Sequence, residues 1–178
     1  LETSLDVTEG LKFDSGYAAT AFITDERRSV MHYDEPMFFV TDHKITTVDQ
    51  ILPILEMIAR EGRPLVIVAE DVDGQALAAI IMNAIRGTMK IAAIKAPFYG
   101  EERRNILDDI ATSTGANFIT RESGKKLKEV TMSDFGSSKF IEANKYNTTI
   151  VGGNADYEQV ERRIETLKGL IADTESLS

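Results

Sequence analysis

The stretch from Gln75 to Arg86 carries almost no polar side chains. Between these two residues only Asn83 is polar, whereas a helix on a protein surface normally shows a polar stripe. Acidic residues and a glycine precede this stretch, and Arg86 and then Gly87 close it. This order is typical of the two ends of a helix. Such a helix is either buried on every side or exposes apolar surface to water. Because full burial is hard to arrange in a domain this small, the pattern predicts an exposed apolar surface that binds another one.

Short apolar runs alternate with helical stretches along the rest of the chain. The pattern predicts strands at 37–40, 65–69, 90–94, 117–120, 139–143 and 148–151. It predicts further helices at 51–59, 101–114 and 156–172, the first starting near Ile51 because Pro53 belongs in a first turn. The alternation of strand and helix over 65–120 is the βαβ pattern, which predicts an α/β fold.

Composition narrows the classes of function. The 178 residues carry a net charge of -9, which argues against binding to nucleic acid. The chain has no Cys and two His, so disulfides and cysteine-based zinc sites are excluded. No apolar run approaches the roughly 20 residues of a membrane span, and residues 1–4 do not resemble a signal peptide.

An acidic cluster offers one candidate for catalysis. Glu70, Asp71 and Asp73 follow a predicted central strand, and Lys95 follows another, at the edge where open α/β sheets place ligands. The alternative function is therefore a small metal-dependent phosphoacceptor or enzyme domain that uses residues 70–73 and Mg²⁺. In the simpler interpretation, Asp71 or Asp73 caps the next helix and pairs with Lys95 or Arg86.

The two histidines do not indicate a catalytic site. His32 and His43 lie in polar contexts without a neighbour at ligand spacing, so we interpret each as a solvated surface residue. No Ser–His–Asp arrangement can be built from them, and we predict neither catalytic residues nor a metal site.

Apolar residues are the stronger candidates for a binding site. Two lie in the Ala-rich segment 16–23, and five lie on the two helices around residues 55 and 80. Buried against a partner, each would contribute on the order of 1.5–3 kcal/mol. The candidates are Tyr17, Phe22, Leu52, Leu55, Leu77, Ile81 and Met82.

In these segments the chain closely resembles the apical domain of the group I chaperonins, the GroEL family. The likeness runs in unbroken order over nearly the whole chain. Among the matching blocks are Leu52-Pro53-Ile54-Leu55-Glu56, Gly62-Arg63-Pro64-Leu65, Ala69-Glu70-Asp71-Val72, Ala92-Ala93-Ile94-Lys95-Ala96-Pro97 and Asn147-Thr148-Thr149-Ile150.

The resemblance implies a layered β/β/α apical-domain fold with central βαβ units over residues 1–178. Residues 1–9 and 173–178 would form the flanking, hinge-side ends, with Gly10 as a hinge. The seven candidates above would line an apolar groove, and Asn83 would lie at its edge. The groove would bind non-native polypeptides and, in competition with them, the mobile loop of a GroES-type co-chaperonin.

The family's ATP site lies in other domains and is absent from this stretch. The resemblance therefore implies a binding module without enzymatic activity or cofactor, which would be a monomer as an isolated domain. Its parent would be a ring-forming homo-oligomer that uses ATP and Mg²⁺ to assist protein folding, in the bacterial cytoplasm or an organelle matrix. Two departures stand out: Ala19 and Ala21 replace a Ser and a Tyr, which would weaken or broaden binding there, and Phe98-Tyr99-Gly100 replaces Gly-Phe-Gly.

Overall fold

The computed structural model describes residues 10–153, which form a mixed α/β fold. The helices are α1 (Val48–Glu61), α2 (Gly74–Arg86) and α3 (Gly100–Thr114). The strands are β1 (Gly10–Phe13), β2 (Met31–Asp34), β3 (Met37–Val40), β4 (Lys44–Ile45), β5 (Leu65–Ala69), β6 (Asp71–Val72), β7 (Ile91–Lys95), β8 (Gly136–Ala143) and β9 (Thr148–Gly153).

One large mixed sheet organises the described residues, in the strand order β1-β9-β8-β3-β5-β7. Strands β3, β5 and β7 run parallel, whereas β8 pairs antiparallel with β9 and β3. The start of β8 lies beside β3 and its later part lies beside β2, so one long strand joins the parallel and antiparallel parts. Strands β4 and β6 form a separate two-stranded sheet. The α/β class and the strands predicted around residues 37, 65, 90, 139 and 148 are confirmed.

The parallel strands form the centre of the core. All residues of β3 and β5 are buried, as are the first four of β7, because helices connect these strands and cover them. The order β3-α1-β5-α2-β7 gives two successive crossovers, and helices α1 and α2 pack against each other. Helix α3 packs instead against β1, β3 and β8. Of the two βαβ units predicted over 65–120, the first is present as β5-α2-β7, whereas no strand follows α3 to complete the second.

Helix α1 begins three residues before the predicted start. The side-chain oxygen of Gln50 accepts hydrogen bonds from the backbone N–H groups of Thr46 and Thr47, at 2.8 and 3.0 Å. These bonds satisfy donors that a helix N-terminus leaves unpaired, so the helix starts at Val48. Pro53 consequently lies inside the helix, where its missing N–H removes a single helical bond. The prediction of a start near Ile51 was wrong because it ignored this cap.

Some predicted elements are either absent or outside the described residues. The predicted strand at 117–120 is wrong, because only one bridge forms there, between Ile119 and Thr41. The predicted helix at 156–172 and the flanking ends 1–9 and 173–178 lie outside the described residues.

The connection between α3 and β8 is held by a buried carboxylate. Asp134 accepts hydrogen bonds from the Thr131 N–H at 2.9 Å, the Lys125 ammonium at 2.9 Å and the Asn117 amide at 3.1 Å. Burial, the largest single influence, raises the pKa of Asp134, but the bonds from Thr131, Lys125 and Asn117 together outweigh it. The pKa of Asp134 is therefore lowered.

Replacing this carboxylate should change stability and its pH dependence. A lowered pKa in the folded state stabilises the fold at pH values above the ordinary carboxyl pKa of about 4, and the stabilisation is lost as pH falls through the lowered value. We expect Asp134→Asn to reduce the free energy of unfolding at pH 7 by about 1–3 kcal/mol. We also expect the variant to lose less stability than wild type between pH 5 and pH 2. Urea unfolding of both proteins at a series of pH values measures the difference. Equal acid sensitivity of the two proteins would contradict this role.

Candidate functional site

Helix α2 turns one face to the core and an apolar face to solvent. Ala76 and Ile80 are buried, whereas Met82 is 46% exposed and Ile85 is 67% exposed. Ala78, Met82 and Ile85 recur at the spacing that places residues on one side of a helix. The helix is therefore not buried on every side, and the exposed apolar surface predicted from its composition is confirmed.

Helix α1 adds to this surface. Leu52 is 44% exposed, and α1 packs directly against α2. Leu77 and Ile81 are half-buried on α2 and pack against the core. We define the α1–α2 face by the residues Leu52, Leu77, Ile81, Met82 and Ile85.

Ile85 was missed by the sequence reasoning, although it is the most exposed residue of this face. A signal for it existed, because Ile85 follows Met82 by three residues and therefore lies on the same side of the helix.

Three of the predicted groove residues lie in the core instead of at the surface. Phe22 is 1% exposed, and Tyr17 and Leu55 are also buried. Phe22 ends a 3₁₀ turn, Thr20–Phe22, that packs against α2. The expectation that these side chains are exposed was therefore wrong, because they belong to the core and not to the α1–α2 face.

Tyr17 is held by polar contacts as well as by packing. Its hydroxyl donates to the Ser29 carbonyl at 3.2 Å, and its N–H donates to the Asn144 carbonyl at 3.2 Å. A single bridge to Ile94 fixes this part of the segment beside β7.

The amide of Asn83 bonds to its own helix and to the turn that follows it. Its Nδ2 donates to the Ala79 carbonyl at 2.8 Å, and its Oδ1 accepts from the Thr88 hydroxyl at 3.0 Å. Both bonds stabilise the C-terminal end of α2. Asn83, the only polar residue between Gln75 and Arg86, therefore has a structural role.

Gly10, the predicted hinge, opens strand β1 opposite Val151. A Cβ at this position would lie 1.9 Å from the Ile150 carbonyl oxygen, so close backbone contact requires glycine here. The hinge function stays a prediction.

The acidic cluster forms ion pairs with basic residues. Asp71 lies 3.1 Å from the Lys95 ammonium, and Asp73 accepts a hydrogen bond from the Gly74 N–H at 2.7 Å at the start of α2. The simpler interpretation of these acids, as a helix cap and an ion-pair partner, is the arrangement observed.

Glu70 points in another direction, toward α3. It lies 3.1 Å from Arg103 and 3.3 Å from Arg121, at a cavity of about 310 Å³. Arg104, Asp42 and Glu101 line the same cavity, which adds one positive and two negative charges. Cations and carboxylates therefore balance one another in this cavity.

Both histidines differ from the prediction of solvated surface residues. The His32 ring stacks on Phe140 and lies between two carboxylates, with Asp34 3.0 Å from Nε2 and Glu142 3.3 Å from Nδ1. His43 is half-buried, and its Nε2 is buried without a hydrogen-bond partner in the described part of the chain. Because the two carboxylates face opposite nitrogens of His32, they do not converge on one metal ion. Within residues 10–153 no group of three or more acidic, His or Cys side chains is placed to bind a metal.

The turn between β7 and α3 places an aromatic residue in a strained conformation. Phe98 has φ of +66°, in the left-handed region where a side chain costs about 1–2 kcal/mol. Its ring and that of Tyr99 are both exposed. Phe98 therefore holds a backbone conformation that glycine adopts more readily.

A pair of variants isolates this strain. Phe98→Gly and Phe98→Ala both remove the ring, but only glycine adopts a positive φ without penalty. We expect the Gly variant to be more stable than the Ala variant by about 1 kcal/mol, the reverse of the usual order of these residues. Urea unfolding monitored by circular dichroism measures the difference, and a more stable Ala variant would show that the turn is not strained.

No protein-family model matches the chain. Among residues 10–153, no helix combines the length and apolar character that crossing a bilayer requires.

Proposed function

We propose that this protein is a polypeptide-binding domain of the chaperonin apical type, and that it binds non-native proteins on the α1–α2 face. The observation that carries the proposal is the exposure of Leu52, Met82 and Ile85 on two helices that pack together. Soluble proteins keep large apolar patches mainly where they bind a partner. Unfolded chains share exposed apolar side chains, so such a face binds them with little dependence on sequence.

The chaperonin apical-domain fold is part of the same proposal. The layered β/β/α apical-domain arrangement, spanning residues 1–178, is supported by the ordered likeness to group I chaperonins. It is also supported by the parallel β3-α1-β5-α2-β7 unit, which presents α1 and α2 side by side.

The mechanism follows from the chemistry of the face. An amphipathic or extended segment places its apolar side chains against Leu52, Ile81 and Met82 and removes them from water. The thioether of Met82 adapts to partners of different shape. In the parent ring, several copies of the face would act on one chain and raise the avidity. A co-chaperonin mobile loop would compete for the same residues.

Several properties of the parent protein are part of this proposal. A rotation at Gly10 would carry the face away from the bound chain. Folding would be driven by ATP and Mg²⁺ bound in other domains of a homo-oligomeric ring, in the bacterial cytoplasm or an organelle matrix. The domain itself would bind without catalysing a reaction. The metal-dependent alternative gains no support from the site, since Asp71 and Glu70 pair with cationic side chains.

A binding titration tests the proposal. The full chain is titrated into a fluorescein-labelled co-chaperonin mobile-loop peptide, and fluorescence anisotropy reports binding. We expect saturable binding with a Kd in the micromolar range, typical of a few buried apolar side chains. An acid-denatured small protein should compete, whereas the same protein in its native form should not. Absence of binding at saturating domain concentrations would refute the proposal.

A further inference from the structure

The chain carries two exposed thioethers. It contains six Met and no Cys, so Met side chains provide all of its sulfur. Met82 and Met132 are exposed, whereas Met31 and Met37 are buried in the core. Oxidation of Met follows exposure, so a dissolved oxidant reacts first at these two positions.

Met82 lies where a new polar atom would have the greatest effect on the α1–α2 face. It is flanked by Ile81 and the exposed Ile85, and the amide of Asn83 beside it already bonds to Ala79 and Thr88. Arg86 is the only charged residue within one helical turn of it. An oxygen added to the Met82 sulfur would therefore be hydrated in the free protein and surrounded by apolar groups in a complex.

We propose that Met82 is an oxidative modification site that regulates polypeptide binding, an inference that rests on the function proposed above. The oxidant is a hydroperoxide such as hydrogen peroxide. The sulfur lone pair attacks one peroxide oxygen, the O–O bond breaks and an S–O bond forms. The sulfur loses two electrons and becomes a sulfoxide, and the other oxygen takes up a proton and leaves as water or an alcohol.

The modification is reversible. A thiol-dependent methionine sulfoxide reductase returns two electrons to the sulfur and releases the added oxygen as water. The face thereby alternates between an apolar and a polar form without any change in its fold.

The sulfoxide form should bind polypeptide more weakly. Covering its oxygen removes bound water without supplying a hydrogen-bond donor, which would weaken binding by about tenfold. The flexible apolar contact of the thioether is lost at the same time.

Matched variants provide the test. Met82→Leu keeps an apolar side chain of similar size without an oxidisable sulfur, and Met132→Leu removes the other exposed sulfur, which lies in the 3₁₀ turn Met132–Asp134 outside α1 and α2. Wild type and both variants are treated with hydrogen peroxide, mapped by peptide mass spectrometry and titrated with the mobile-loop peptide. We expect wild type and Met132→Leu to lose about tenfold in affinity relative to their untreated forms. The affinity of Met82→Leu, whatever its untreated value, should be the same before and after peroxide treatment.

The possible outcomes separate this inference from the proposed function. An equal loss in Met82→Leu, or full affinity in a protein whose Met82 is oxidised, would overturn the inference alone. Preferential oxidation of the half-buried Met57 or Met89 would overturn it as well. Failure of the untreated wild type to bind would refute the proposed function, and the inference with it.

Discussion

Ile85→Glu should abolish most polypeptide binding and leave the fold intact. Ile85 is 67% exposed, so its replacement removes little packing from the domain. In a complex, however, the new carboxylate would have to lose its water against an apolar partner. We expect the Kd for the mobile-loop peptide to rise at least tenfold, by about 1.4 kcal/mol or more, while the urea midpoint shifts by less than the error of the fit.

The control for this variant carries the same charge change elsewhere. Tyr146 is 71% exposed on the hairpin between β8 and β9 and belongs to neither α1 nor α2. Tyr146→Glu should bind the peptide as wild type does. Equal weakening by both variants would show that net charge, and not the α1–α2 face, controls binding.

Phe22→Ala should destabilise the fold severely, although the resemblance to chaperonins places this residue in the groove. Phe22 is 1% exposed and belongs to the core cluster beneath α2. Removing a buried phenyl ring leaves a cavity, which costs about 3–5 kcal/mol. Because small domains are stable by about 5–15 kcal/mol, the variant should be partly or fully unfolded at 37 °C.

Leu52→Ala is the matched comparison for Phe22→Ala. Leu52 is 44% exposed, so its truncation should reduce the free energy of unfolding by less than about 1 kcal/mol. Circular dichroism during urea unfolding measures both variants. A stable Phe22→Ala with weakened peptide binding would instead place Phe22 on the binding surface.

For helix α2, the predictions that followed from local pattern were confirmed. Helix α2 begins one residue before the predicted Gln75 and ends at the predicted Arg86, because Asp73 caps its start and Gly87 ends it. Its apolar outward face was also predictable, since a helix with Asn83 as its only internal polar residue cannot present a polar stripe.

The misplaced groove residues and the missed ion pairs concern contacts between residues that are distant in sequence. The burial of Phe22 and Leu55 depends on the packing of the 3₁₀ turn and α1 against neighbouring elements, which hydrophobicity alone does not specify. Likewise, the pairing of Glu70 with Arg103 and Arg121 joins residues 33 or more positions apart. Only the tertiary fold shows that this carboxylate is neutralised by arginines.

Mapping the bound peptide onto the domain tests the central claim most directly. Amide and methyl resonances of the full chain are followed by NMR during titration with the mobile-loop peptide. Our account predicts that the largest shifts occur at Leu52, Leu77, Ile81, Met82 and Ile85, and that Ile85→Glu removes them. Shifts centred instead on the charged cavity around Glu70 and Arg103, or no shifts at saturating peptide, would contradict it.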